Sequence, residues 1–209
     1  MKTKLDKLKS IFIINNQIIT FLFGLSIIAI ITGAFYITIL NKTDQSLITE
    51  TILNFFNNIS TNKLNYGLSL KNTFIINIGF IILIWLLGIS VIGIPIIIFL
   101  FFSKIFTLGF SISSIIFNYK LKGIPLAILY IFPHHVINGY IYMIILAYSL
   151  SLSLKIITTI IKRKSIDFKI IMNKYGYVLI ISSIIILITT LFEVFITPLL
   201  IKLTLTFIK

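Results

Sequence analysis

The apolar run from about Phe74 to Phe102 is too long for one membrane crossing and too interrupted to be a single helix. The hydrocarbon core of a bilayer takes about 20 helical residues. At the centre of the run stands Trp85–Pro95, reading WLLGISVIGIP, with Gly88, Gly93 and Pro95 where a continuous helix would have to break. Proline lacks an amide hydrogen and disfavours helical geometry at the residue before it, here Ile94. Glycine tolerates a tight turn. The pattern predicts a helical hairpin that turns at Gly93–Pro95, with the rest of the chain packed around it.

Composition sets the solvent for that hairpin. Of 209 residues, 58% are hydrophobic and 11% charged, and the mean hydropathy is +1.13. Such a chain is an all-α, polytopic integral membrane bundle forming one membrane domain, with about five transmembrane helices plus short interfacial helices. No soluble catalytic domain fits beside them. The formal charge is +13, and all but Arg163 of the 18 basic residues are Lys. Ile, Asn, Phe and Tyr are also heavily used, as AT-rich coding would produce, so position says more than the total. Without an Arg-rich soluble surface, nucleic acid is a poor partner and the lipid bilayer is the expected one. The chain has no Cys. Disulfides, thiolate metal sites and cysteine catalysis are thereby excluded.

Residues 1–17 carry Lys2, Lys4, Lys7 and Lys9 against Asp6 and read as a cytoplasmic tail, either solvated or lying on the inner membrane surface through Leu5, Leu8 and Phe12. The first span is 18–40, too long for a signal peptide and without a cleavage site. Residues 41–72 are polar and nearly neutral, which suits the outer face. Within them Ile48, Ile52, Phe55 and Ile59 recur at helical spacing, and Asp44 or Ser46 is placed to cap the helix. Two uses of that face are open: resting among lipid headgroups, or docking an extracytoplasmic partner. The glycosylation patterns at Asn41 and Asn58 read as chance in so Asn-rich a chain. Further spans are expected at 73–92, 95–118, 136–154 and 176–200. The segment 155–175 holds Lys155, Lys162, Arg163, Lys164, Lys169 and Lys174 against Asp167 and marks the inside. An odd number of crossings must then separate 41–72 from 155–175, and three fit only if the hairpin turns. The C-terminus is placed outside.

No catalytic constellation and no cofactor site stands out. His134 and His135 follow Pro133 near the expected outer boundary, and a metal site would need further ligands in a chain with five acids. No metal is therefore assigned, and the two imidazoles read as structural. Lys104 and Glu193 are the ionisable residues inside predicted spans, which makes them functional candidates. Counted from the inner ends of their helices they differ in depth by roughly 12 Å at about 1.5 Å per residue. Direct contact is not expected. Lys104 should snorkel inward or meet a carbonyl, and Glu193 should reach the outer interface or a Tyr hydroxyl.

Across nearly its whole length the sequence resembles the stage II sporulation protein M family. Thr32-Gly33-Ala34-Phe35 resembles that family's Gly-Ala-Phe element, Trp85–Pro95 its signature, and Leu108-Gly109-Phe110 its following Gly-Phe element. Leu152–Lys155, the basic run Lys162–Ser165, Phe192-Glu193 and Thr197–Lys202 are similar to later segments. Lys104-Ile105 stands where the family usually has Lys-Gly, and the residues after Pro133 vary. The resemblance makes Gly33, Trp85, Gly88, Gly93, Pro95, Gly109, Pro133, Glu193 and Pro198 a structural signature. It implies a non-enzymatic scaffold at the sporulation septum that recruits the peptidoglycan hydrolases called stage II sporulation proteins D and P for wall thinning and engulfment. Contacts would run through 41–72, through 118–135, or through lipid-facing surfaces near the hairpin. The competing readings are a small transporter or permease subunit, suggested by the broken helix and Glu193, and an envelope-remodelling scaffold in a host that makes no spores.

Overall fold

In the computed structural model, which describes residues 16–131, 134–163 and 168–208, the chain is a bundle of helices. They are α1 (Asn16–Ile39), α2 (Lys42–Ser60), α3 (Tyr66–Gly88), α4 (Gly93–Tyr119), α5 (Gly123–Ile131), α6 (His134–Lys162), α7 (Phe168–Leu191) and α8 (Thr197–Ile208). A 3₁₀ turn, Lys120–Lys122, joins α4 to α5, and a π-helical turn, Phe192–Ile196, joins α7 to α8. Five helical stretches are long and apolar enough to cross a membrane: Asn16–Ile39, Tyr66–Gly88, Gly93–Ile131, His134–Lys162 and Phe168–Leu205. This is a multi-pass membrane protein in contact with lipid. Large apolar side chains such as Phe23, Phe35, Phe99 and Ile188 stay outward-facing, because hydrocarbon rather than water surrounds them.

The helices run further than the spans read from hydropathy, since polar residues continue them beyond the apolar core. Asn65–Asn72, expected as part of the outer segment, mostly belongs to α3, whose N-cap is the Asn65 side chain accepting from the Leu68 amide at 3.0 Å. At α2 the cap is Asn41, which accepts from the Asp44 amide at 2.8 Å, rather than Asp44 or Ser46. The cap oxygen thus sits one residue before the helix, and Asp44 lies in its first turn.

The hairpin turn lies at 89–92, slightly earlier than Gly93–Pro95. Gly93 and Pro95 begin α4 instead of breaking it. Pro95 occupies the first turn, where a missing amide hydrogen leaves no helical bond unmade. The turn closes on itself through Ser90 N to Leu87 O (3.0 Å) and Gly93 N to Ser90 O (3.2 Å). A side chain on Gly93 would strike the Leu87 carbonyl.

Two clusters form the interior. The larger joins Leu22 and Ala29 of α1, Ile81 and Ile84 of α3, Ile97 and Phe101 of α4, Ile145 and Leu146 of α6, and Val178 and Ile186 of α7. The smaller collects Phe56 and Ile59 of α2, Ile115 of α4, Leu126 and Ala127 of α5, and Ile201 of α8. The apolar face of α2 is thus spent on the bundle itself, with Ile52, Phe56 and Ile59 inward and Phe55 partly exposed. Leu47, Leu53 and Phe55 of the same helix stay exposed. The buried stripe includes Phe56 in place of Phe55, a shift that periodicity alone does not resolve.

Helices α1 and α4 meet backbone to backbone. A Cβ at Gly33 would fall on the Phe106 carbonyl, and one at Gly109 on the Ile30 carbonyl. Small residues on both sides let backbones meet in lipid, where dispersion and close contact drive association. Ile105 is buried, and its Cδ1 lies 4.0 Å from where a Cβ on Gly139 of α6 would stand.

Gly33→Ala should lower the thermal midpoint of the detergent-solubilised protein, with a cost of about 1–3 kcal/mol, because a backbone carbonyl cannot step aside. Gly24→Ala on the same helix has nothing within 4 Å and should be neutral or slightly stabilising. Equal behaviour of the two variants would contradict the backbone contact.

Candidate functional site

The polar residues of the bundle collect in two places, at the hairpin end of α3 and at its middle. The first is the hairpin. Trp85 stacks on Tyr175 at 5.3 Å between ring centroids. The Trp85 indole donates to the Tyr175 carbonyl (3.3 Å), and the Tyr175 hydroxyl donates to the Trp85 carbonyl (2.8 Å). Ser149 meets the same hydroxyl at 2.7 Å. One turn further along α6, Ser153 donates to the Gly88 carbonyl at 2.8 Å and to that of Ser90 at 3.2 Å. The Gly88 carbonyl has lost its helical partner as α3 ends, and the Ser90 carbonyl of the turn, which already accepts from Gly93 N, is shared with the same serine. A Cβ on Gly88 would collide with the Tyr175 hydroxyl and Ser149. The small serines of α6 are therefore both spacers and donors.

The second place lies away from the hairpin, deep among α3, α4, α6 and α7, and its centre is Asn77. The Asn77 side-chain carbonyl accepts from Lys104 Nζ (3.4 Å) and from the Tyr142 hydroxyl (3.0 Å). Its amide donates to Glu193 Oε2 (3.4 Å) and Thr190 Oγ1 (3.3 Å). One primary amide offers two acceptor sites and two donors, and here all four are used. Lys104 also lies over the rings of Phe80 and Tyr142, at 5.5 and 5.6 Å from their centroids. Asn77 and Lys104 are equally many residues from the ends of the hairpin at Gly88 and Gly93, so the turn places them level.

Lys104 and Glu193 do not form a direct ion pair, but they do not part company either. Lys104 stays inside the bundle instead of snorkelling, and Glu193 turns to Asn77 instead of the interface. Asn77 bridges the two. Glu193 stands in the π-helical turn Phe192–Ile196. Pro198 lies two residues beyond that turn and cannot donate to the Val194 carbonyl, so the α-helical ladder is broken where the π register appears.

Next to Glu193 are the histidines. Ligating atoms of His134, His135 and Glu193 all lie within 4.8 Å of one another. His134 is buried, with Nδ1 3.1 Å from the Thr197 hydroxyl and no partner for Nε2. Asn138, one turn along α6, accepts from the Thr189 hydroxyl. A cavity of about 270 Å³ is lined by Asn77, Lys104, Tyr130, His135, Asn138, Tyr142 and Glu193 among others. Glu193 also lines a smaller neighbouring cavity with His134 and Thr197.

Of the signature positions, Gly33, Gly109, Trp85, Gly88, Gly93 and Pro95 serve helix crossings or the hairpin. Glu193 belongs to the polar centre, and Pro198 lies beside it in the neighbouring cavity. Pro133 lies outside the described residues, as do the tail 1–15 and the basic residue Lys164. Sequence reading missed Asn77, Asn138, Tyr142, Thr189 and Thr190. A polar amide inside an apolar run, as in Ile75-Ile76-Asn77-Ile78, was the available signal.

The family described as stage II sporulation protein M matches residues 6–198. No curated protein and no solved structure matches the chain. The match spans nearly the whole sequence, and the chain belongs to that family.

If Asn77 couples the two charges, Lys104→Met and Glu193→Gln should each lower the thermal midpoint, because each leaves one charge without its counterpart. The double variant should be less destabilised than the sum of the two, with a coupling of about 0.5–3 kcal/mol in a double-mutant cycle. Strict additivity would show that the charges do not sense each other.

Proposed function

We propose that this member of the stage II sporulation protein M family is a non-enzymatic membrane scaffold of endospore formation. It recruits peptidoglycan hydrolases, stage II sporulation proteins D and P, to the septum, where thinning of the wall permits engulfment of the forespore. The family match over residues 6–198 carries this reading. The packing supports it: the family-like glycines and Trp85 sit at helix crossings and at the hairpin, where they shape a bundle. The hydrolases bring the chemistry, and this chain brings location.

In the proposed topology the N-terminus is cytoplasmic, 155–175 faces the cytoplasm, and α2 with the turn at 120–122 faces outward. Partner contacts then fall on the exposed side of α2 and on the loop region 118–135. An apolar groove of about 400 Å³ between α2 and α4, lined by Leu47, Ile48, Phe55 and Phe110, lies on that side. A second reading, a small transporter or permease subunit, is favoured by one observation, the polar cavity that holds Lys104 and Glu193.

Deleting the gene in a spore-forming host should block engulfment, and the tagged protein should co-purify with a cell-wall hydrolase. Normal engulfment in the deletion strain, with the hydrolases still at the septum, would overturn the scaffold reading. Loss of a solute flux in that strain, restored by the wild-type chain but not by Glu193→Gln, would favour the transporter. In a host that makes no spores, the corresponding readout is localisation of its envelope-remodelling hydrolases. Because the chain lacks Cys, single cysteines introduced at Asn57, Lys120, Lys164 and Lys209 report sidedness. An impermeant thiol reagent should label Asn57→Cys, Lys120→Cys and Lys209→Cys from outside and leave Lys164→Cys unlabelled.

A further inference from the structure

Two imidazoles and a carboxylate from distant parts of the chain converge at the start of α6 and the end of α7. His134 and His135 open α6, and Glu193 arrives from the π-helical turn. Their candidate ligating atoms lie within 4.8 Å of one another, whereas ligands around one zinc-type ion are about 2.0–2.2 Å from the metal. At tetrahedral angles such ligands stand about 3.4 Å from one another, so side-chain adjustments of about an ångström bring the three atoms onto a common centre.

A separate observation points to a ligand. His134 is 1% exposed, yet its Nε2 makes no hydrogen bond. A buried polar nitrogen without a partner among the protein's own groups is costly until something bound takes it up. The other nitrogen, Nδ1, is 3.1 Å from the Thr197 hydroxyl, itself buried. This is the arrangement of a ligating histidine: one nitrogen held and oriented by a neighbour, the other left free. A histidine serving only as packing has no reason to keep Nε2 bare.

We propose that His134 Nε2, His135 and Glu193 form a binding site for a divalent transition metal of the zinc type. Nitrogen donors with a single carboxylate suit zinc and disfavour magnesium or calcium, which take oxygen ligands. The protein supplies three ligands, and the fourth position is open toward the cavity bordered by Tyr130 and Asn138. Lys104 shares that cavity. Its charge opposes that of the metal, but Asn77 and the rings of Phe80 and Tyr142 hold its ammonium. An ion here would tie the start of α6 to the π-helical turn. The proposal does not depend on the scaffold reading above.

The test uses the full-length protein in detergent, stripped with a chelator, exchanged into buffer and titrated with zinc against a chromogenic zinc indicator. The wild type should bind about one ion per chain, with a thermal midpoint that rises on zinc addition, and cobalt substitution should give visible bands of a four-coordinate site. His135→Gln and Glu193→Gln should each weaken zinc at least about tenfold. Thr197→Val, which keeps all three ligands but removes the group orienting His134, should weaken it by about 10–100-fold. That variant and the wild-type thermal shift decide the matter if a ligand variant fails to fold. The proposal is overturned if the stripped wild type takes up no zinc, or if His135→Gln and Thr197→Val bind it as tightly as the wild type does.

Discussion

Asn77 is the contact on which the interior of this bundle depends. A lysine and a glutamate inside membrane-spanning helices are each expensive unless hydrogen-bonded or paired. The amide between them presents its carbonyl to the cation and its NH₂ to the anion, so each charge finds a dipole of the right sign. Tyr142 and Thr190 complete the set from α6 and α7. One side chain on α3 thereby orders three neighbouring helices about a single point. Apolar packing alone does not do this in lipid, since a helix surface of Leu and Ile is as content against acyl chains as against another helix.

The hairpin complements that centre from the far end of α3. A turn between two spans leaves carbonyl groups without helical partners, and the bundle answers them with Ser153 and the Trp85–Tyr175 pair. The hydrogen bonds of that pair run in both directions, so a displacement of α7 relative to α3 loses two bonds and a ring stack together. Gly88 is what permits Tyr175 and Ser149 to come so near. Fixed at the hairpin and at Asn77, α3 keeps its position along its length, and α4 follows through the turn.

Much of the architecture was legible in the residues. Gly33 and Gly109 stood out only through the family resemblance, with nothing local to say that they meet, whereas the break in Phe74–Phe102 follows from length and from Gly and Pro chemistry. Its exact place was harder to read, because Pro95 is equally at home just after a break and within the first turn of the next helix. The polar centre was less accessible. Lys104 and Glu193 were visible as intramembrane charges, but measuring depth along two isolated helices set them apart. What joins them is a third side chain on another helix. The proximity of Glu193 to His134 and His135 is likewise tertiary: the glutamate is far in sequence from the adjacent histidines, and no local spacing records it. For α2, periodicity showed that one face is apolar, but not whether lipid, a partner or the bundle's own α5 and α8 would cover it.

The π-helical turn at Phe192–Ile196 has a consequence for angular phase. Its i→i+5 bonding accommodates about one residue more than an α-helical turn does. Each residue of an α-helix advances by about 100°, so everything beyond such a turn is rotated by about that much relative to an uninterrupted helix. Thr197 is the first residue of α8, and it reaches His134 only in the phase that the wide turn sets. Removing a single residue from the turn would leave its length and hydropathy almost untouched, yet it would swing that hydroxyl off the ring. Chain length there acts as an angular setting.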